Sequence, residues 1–209
     1  MILYETVMND GVAEQTIEKS RFITHVMPVE SKEEADEFIK MIKEEYKNAT
    51  HNVPAMVIGD KFQIQWASDD GEPSGTSGAP IVQMLVKEGI TNVAIVVTRY
   101  FGGIKLGTGG LVRAYTSSAK LGLEEAGRAY VKEMVSLRIN VDYTYLSTIQ
   151  NLAKNADFEI GETNFTEKVS IQCLTEPEKI ATIKKQLAGA TNGKYEVEEE
   201  TLEIIRVKK

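Results

Sequence analysis

The residues able to do chemistry concentrate in two segments of this 209-residue chain. The first is Ser68-Asp69-Asp70-Gly71-Glu72-Pro73-Ser74-Gly75-Thr76-Ser77-Gly78, with three carboxylates, three glycines and four hydroxyls. Asp69, Asp70 and Glu72 suit a cation or a ribose. The hydroxyls and amides of Ser74, Gly75 and Thr76 suit an anion. Asp, Gly, Pro and Ser also fill ordinary turns for backbone reasons. A binding loop and a turn-rich connection are therefore both open readings. The spacing is not that of an EF-hand.

The second segment runs from Thr98 to Tyr115. Gly102, Gly103, Gly107, Gly109 and Gly110 fall within nine residues. Glycine lets backbone amides approach a ligand without a Cβ clash. A helix beginning beyond such a loop offers its N-terminus to an anion. Arg99 and Lys105 add charge, and Thr108 a hydroxyl. Arg113 lies near the start of that helix, where the macrodipole disfavours a cation. An anion opposite it, or one of Asp69, Asp70 and Glu72, would explain the placement. The Gly-Lys-Ser/Thr of a P-loop is missing, and no acidic residue follows at dinucleotide-fingerprint distance. Anion binding and chain turning both remain open for this loop.

Other candidates are weaker. His51, just before a strand, is a secondary acid/base or ligand candidate, with capping as the alternative. His25 sits within a strand. Cys173 follows Val169 and Ile171 at period two, which is a core pattern. There is no Gly-x-Ser-x-Gly elbow, His-Glu-x-x-His or Cys-x-x-Cys. No residue earns a catalytic role, and nothing indicates a metal set or a cofactor.

The elements that must position these residues read as mixed α/β. Ser20 to Val29 is a strand. Ser31 opens a helix with Glu34 as its capping-box partner; Ala35, Phe38, Ile39, Ile42 and Tyr46 form the apolar stripe. Two strands, 53–59 and 62–66, flank a turn. Pro80 to Glu88 is a short helix, and Val93 to Val97 a central strand. A glycine-rich loop over 100–110 precedes a helix to Ala126, with Gly127 following as its C′ residue. Val112, Tyr115, Ala119, Leu123 and Ala126 face inward on that helix. Residues 128–134 read as a linker. Beyond it come a strand from Leu137, a helix over Leu146–Ala156, strands 158–166 and 169–174, a helix from Pro177 ended by Gly189, and a strand from Lys194 to Val207. The order βαββαβ is that of a ferredoxin-like domain. Two domains are expected, 1–130 and 135–209.

Composition sets the limits. The net charge is −7. Residues up to Gly127 carry −6 of it and the remainder −1. Neither half is the basic body of a non-specific nucleic-acid binder. No run of about 18 apolar residues is present, so no membrane helix is expected. The first residues lack a signal-peptide pattern. The single cysteine excludes an internal disulfide. A cytoplasmic protein is expected.

Four ordered blocks then carry a resemblance. They are Ser20-Arg21-Phe22, Ala49-Thr50-His51-Asn52, Asp69-Asp70-Gly71-Glu72-Pro73-Ser74-Gly75-Thr76, and Arg99 through Tyr115. Together they resemble the YigZ/IMPACT family. Val53 stands where members often carry cysteine, and Ser77 where alanine is common. The resemblance implies an N-terminal domain similar to the second domain of ribosomal protein S5, a fold class that also hosts small-molecule kinases. It implies a C-terminal ferredoxin-like domain similar to the last domain of elongation factor G. Eukaryotic relatives regulate translation through the general amino-acid control kinase pathway. The resemblance thus implies a non-enzymatic, translation-associated regulator contacting RNA or a ribosome-linked protein. An enzyme acting on a phosphorylated small molecule or nucleotide, and a protein-binding regulator without a ligand site, are the alternatives.

Overall fold

Period-two and period-3.6 patterns become strands and helices along the whole chain. The computed structural model describes residues 1–209. It runs β1 (Ile2–Val7), β2 (Gly11–Ile17), β3 (Ser20–Pro28), α1 (Lys32–Glu45), β4 (His51–Ile58), β5 (Ile64–Ala67), α2 (Gly78–Glu88), β6 (Val93–Tyr100), α3 (Gly107–Ala126), β7 (Arg128–Val141), α4 (Leu146–Ala153), β8 (Phe158–Phe165), β9 (Val169–Thr175), α5 (Ile180–Ala190) and β10 (Tyr195–Lys208). Two compact units result. One holds Leu3–Val131 with Arg206–Lys209; the other holds Lys132–Ile205 with Met1–Ile2.

The larger unit is built on the sheet β2-β3-β6-β4-β5. β6 lies at its centre and pairs antiparallel with β3 and β4. Its continuous apolar run has a simple cause: both faces are covered. Val93, Ile95 and Val97 pack in the cluster that holds Ile81, Leu85, Leu111, Tyr115 and Leu123 of α2 and α3. Ala94 and Val96 pack with Phe38, Ile39 and Ile42 of α1. The Ser31 hydroxyl caps α1 by accepting from the Glu34 amide, and the Glu34 carboxylate accepts from the Glu30 amide. This is close to the expected capping box.

α3 lies unusually near the sheet, at two glycines. A Cβ on Gly11 would stand 2.5 Å from the Ala126 amide nitrogen. One on Gly122 would stand 2.5 Å from Thr24 Cγ2. That approach seats the C-terminal half of α3 on β2 and β3.

The smaller unit packs α4 and α5 through Ile149, Ile183 and Leu187 onto Leu137, Ile139, Val141, Ile171 and Cys173. Its element order is the expected βαββαβ; β9 pairs with β7 and β8, and β10 pairs with β7.

Four expectations are corrected. Residues 128–134 are no linker: they belong to β7, where Ala129, Val131, Met134 and Val135 are buried and the strand pattern runs straight on. β1 and β2 had gone unread, because their polar residues masked the alternation. α3 begins at Gly107, so three of the five loop glycines are first-turn residues of a helix. α5 continues through Gly189 to Ala190 before the positive-φ Gly193 turns the chain.

The glycine contacts generate an ordered expectation. Gly11→Ala meets backbone and should destabilise by about 1–3 kcal/mol, as overpacking does. Gly189→Ala meets nothing within 4 Å and should be neutral or stabilising by up to about 1 kcal/mol. Urea unfolding of both variants checks the difference.

Candidate functional site

The register of three strands assembles the site. Across β3, β6 and β4, Phe22 is opposite Arg99 and Arg99 is opposite His51. Facing residues share a face of the sheet, here the one covered by α3. Tyr115 of α3 meets Phe22 edge-on, with centroids 5.4 Å apart. The Arg99 guanidinium lies 5.5 Å from the Phe22 ring centre and 5.4 Å from that of Phe101.

Glu72 enters this cluster from the first loop. Its Oε1 accepts from Arg99 Nη1 at 2.7 Å and from the Tyr115 hydroxyl at 2.6 Å. His51 Nε2 stands 3.7 Å from the same oxygen. The Arg99 and Glu72 side chains are 6% and 3% exposed. Arg99 Nη2 also donates to the Ser20 hydroxyl, which in turn accepts from the Gly102 amide. Thr50 Oγ1 accepts from the Phe101 amide. One buried ion pair therefore ties both loops to the sheet.

The two aspartates serve their own loop. Asp70 accepts from Lys43 at 2.6 Å and from the Asn52 amide at 2.7 Å. Its carbonyl oxygen lies 2.8 Å from His51 Nδ1. Since a carbonyl only accepts, Nδ1 carries a proton and donates it. Asp69 accepts from the Gly75, Ser77 and Gly78 amides and the Ser77 hydroxyl. Burial by itself would raise its carboxyl. The Ser77 hydroxyl and the three amides outweigh burial and hold it below the usual carboxylate value. Tyr115 moves the other way: burial, then the hydrogen bond to Glu72, pushes its hydroxyl far above the ordinary tyrosine value.

A cavity of about 420 Å³ opens beside the ion pair. Glu72, Arg99, His51 and Thr50 form its polar wall; Pro73, Phe101, Leu106 and Leu111 its apolar walls. Lys105, Gly107 and Thr108 complete it.

The structure thus brings together Glu72, Arg99, Lys105, Gly107, Thr108 and His51. Ser74, Gly75 and Thr76 do not line the cavity; the Gly75 amide is held by Asp69 and the Thr76 hydroxyl by the Pro73 carbonyl. Gly102 turns the chain tightly, since a Cβ there would sit 1.9 Å from the Lys19 carbonyl oxygen. Gly103 has φ +90°. Gly109 and Gly110 lie in the first turn of α3. Arg113 is exposed and finds none of the three acidic partners considered for it: Glu72 belongs to Arg99, Asp70 to Lys43, and Asp69 to α2. Its Nη1 instead reaches back to within 3.6 Å of where a Gly109 Cβ would be.

Sequence reasoning missed Ser20, Asn52 and Tyr115 as polar partners. Asn52 accepts from Thr98 and donates to the Tyr46 carbonyl. The Tyr115 ring is core, as its helical spacing implies, while its hydroxyl donates to Glu72. His25 and Cys173 are buried away from the cavity. Burial lowers the His25 pKa and pushes the Cys173 thiol up to about 12.

A double-mutant cycle tests the ion pair. Arg99→Met or Glu72→Gln alone leaves one group uncompensated and should cost about 3–5 kcal/mol. The double variant should cost clearly less than the summed singles, with a coupling of about 0.5–3 kcal/mol by denaturant unfolding.

Comparison with known proteins follows this geometry closely. Residues 18–123 match the Impact N-terminal domain, which spans every cavity residue. Residues 139–194 match a domain of unknown function (DUF1949). The IMPACT family member YvyE of Bacillus subtilis is 43% identical over 94% of this chain and 90% of its own length. The IMPACT family member YigZ of Escherichia coli is 32% identical over 88% of this chain and 91% of its own. A crystal structure titled only as that of a hypothetical protein superimposes with TM-score 0.58 at 30% identity, covering 93% of this chain and 95% of that one. On these grounds the chain belongs to the IMPACT family.

Proposed function

We propose that this protein is a non-enzymatic regulator that works in translation by binding a ribosome-linked protein. One observation supports the non-enzymatic part: no hydroxyl on the cavity wall is hydrogen-bonded to a base, and the Glu72 carboxylate is committed to Arg99 and Tyr115. Glu72 Oε1 holds Arg99 and Tyr115. His51 Nδ1 is fixed on a backbone carbonyl. Neither Thr50 nor Thr108, the hydroxyls on the cavity wall, hydrogen-bonds to His51 or Glu72, so no nucleophile has a base beside it. Such a constellation recognises rather than reacts.

The translation part rests on family membership and on what the resemblance implies about eukaryotic relatives. A protein partner is favoured over bare RNA by charge. The chain carries −7 overall, and Arg99 is already neutralised by Glu72. Without a basic surface, counterion release gives little RNA affinity. No helix is long and apolar enough to cross a membrane.

Sedimentation of the tagged chain through a sucrose gradient of cell extract checks the reading. Co-migration with ribosomal fractions is expected, with no retention on protein-free ribosomal RNA. A chain that stays at the top of the gradient at low and high salt would contradict it.

A further inference from the structure

The sheet of the larger unit has two edges, β2 and β5. An edge strand presents a row of unpaired backbone groups, and proteins blunt it with charge, proline or a bulge. β2 carries Glu14, paired with Arg21. β5 reads Ile64-Gln65-Trp66-Ala67, with no charge, no proline and an unbroken register on β4. Only its shortness, four residues, protects it.

The register shows which of its backbone groups are free. The Ser68 amide donates to the Pro54 carbonyl, so residues 54 and 68 form a hydrogen-bonded pair. Such pairs alternate along an antiparallel ladder. Trp66 and Ile64 therefore bond to Met56 and Ile58, while the N–H and C=O groups of Gln65 and Ala67 point away from β4. No loop or other strand hydrogen-bonds to them.

A groove lies along this edge. Its cavity of about 340 Å³ is lined by Gln65, Trp66 and Ala67 of β5 and by Ala79, Val82 and Gln83 of α2. Ala67 and Val82 pack against the core and make its floor apolar. Trp66 is 44% exposed. Lys61 lies in the turn before β5, and Lys87 stands one turn beyond Gln83 on the same side of α2. The nearby carboxylates are engaged elsewhere: Glu88 with Lys120 and Arg128, Asp69 with the start of α2, and Asp60 with the Gln63 side-chain amide. Both lysines are left without an ion-pair partner.

We propose that β5 and α2 form a docking groove for an extended, acidic segment of a protein partner, which adds to the sheet as a further strand. An extended backbone is the chemistry that matches the outward groups of Gln65 and Ala67, two rungs roughly 7 Å apart. Alternate side chains of the segment enter the groove beside Val82, and its carboxylates meet Lys61 and Lys87. This docking role deepens the protein-binding reading and rests on it; the peptide titration below can fail while the sedimentation succeeds, and the reverse.

Trp66 is the one tryptophan of the chain, so its emission follows events at this edge. The full chain is titrated with the blocked peptides TVEVEV and TVKVKV, and with TVEVEV carrying N-methyl groups at alternate residues. TVEVEV should shift the emission saturably and bind about tenfold more tightly than either of the others. Gln65→Pro removes an outward N–H, which an edge strand tolerates, and should weaken TVEVEV about tenfold. Val82→Trp fills the groove without altering the edge backbone and should abolish binding, which guards against a Gln65→Pro variant that fails to fold. Lys61→Glu with Lys87→Glu should reverse the preference between TVEVEV and TVKVKV. No saturable shift with TVEVEV, equal binding of the N-methylated peptide or of TVKVKV, or affinity unchanged in folded Gln65→Pro or Val82→Trp would overturn the proposal. So would dimerisation of the free chain that Gln65→Pro abolishes in sedimentation velocity, since the edge would then serve a second copy.

Discussion

A single ion pair, Arg99 to Glu72, joins the parts of the larger unit that make a site. Arg99 is fixed by β6, the central strand of the sheet. Glu72 belongs to a loop with no regular structure of its own. Burying two charges this deeply is costly unless the geometry is good and the remaining donors are met. Here Tyr115 supplies Glu72 and Ser20 supplies Arg99 with an extra hydrogen bond, and two aromatic rings flank the guanidinium, whose Nε is buried without a partner. The partners come from β3, β6, α3 and the first loop. Each element must be in place before the pair is satisfied.

From that constraint the glycines sort into separate jobs. Gly11 and Gly122 let α3 approach the sheet, which carries Tyr115 to Glu72. Gly102 lets the second loop pass the Lys19 carbonyl and reach Ser20. Gly103 and Gly107 adopt positive φ, where other residues are strained. Chain turning and close backbone approach thus account for Gly102, Gly103 and Gly107 within the glycine-rich signature.

Much of the architecture could be read from pattern. β6 announces itself as an unbroken apolar run, and α1 by Ser31, Glu34 and a 3.6-residue stripe. β2 did not, because its outward positions mix Val12 with Glu14 and Thr16 and its inward ones include Gly11, Ala13 and Gln15. The supposed linker failed for another reason: Arg128, Lys132 and Glu133 look like solvated chain, while the alternate positions Ala129 and Val131 are core. For the site, residue types told which groups matter but not their pairing. Asp69, Asp70 and Glu72 are near neighbours in sequence, yet they face three different partners. No spacing rule reveals that choice.

Hydrogen exchange compared between the wild-type protein and Arg99→Met tests the central role of the ion pair most directly. If Arg99 holds both loops, the amides of residues 69–77 and of 102–110 should lose protection together, while the centre of β6 keeps its protection. Unchanged protection in both loops, or loss confined to one of them, would contradict the account.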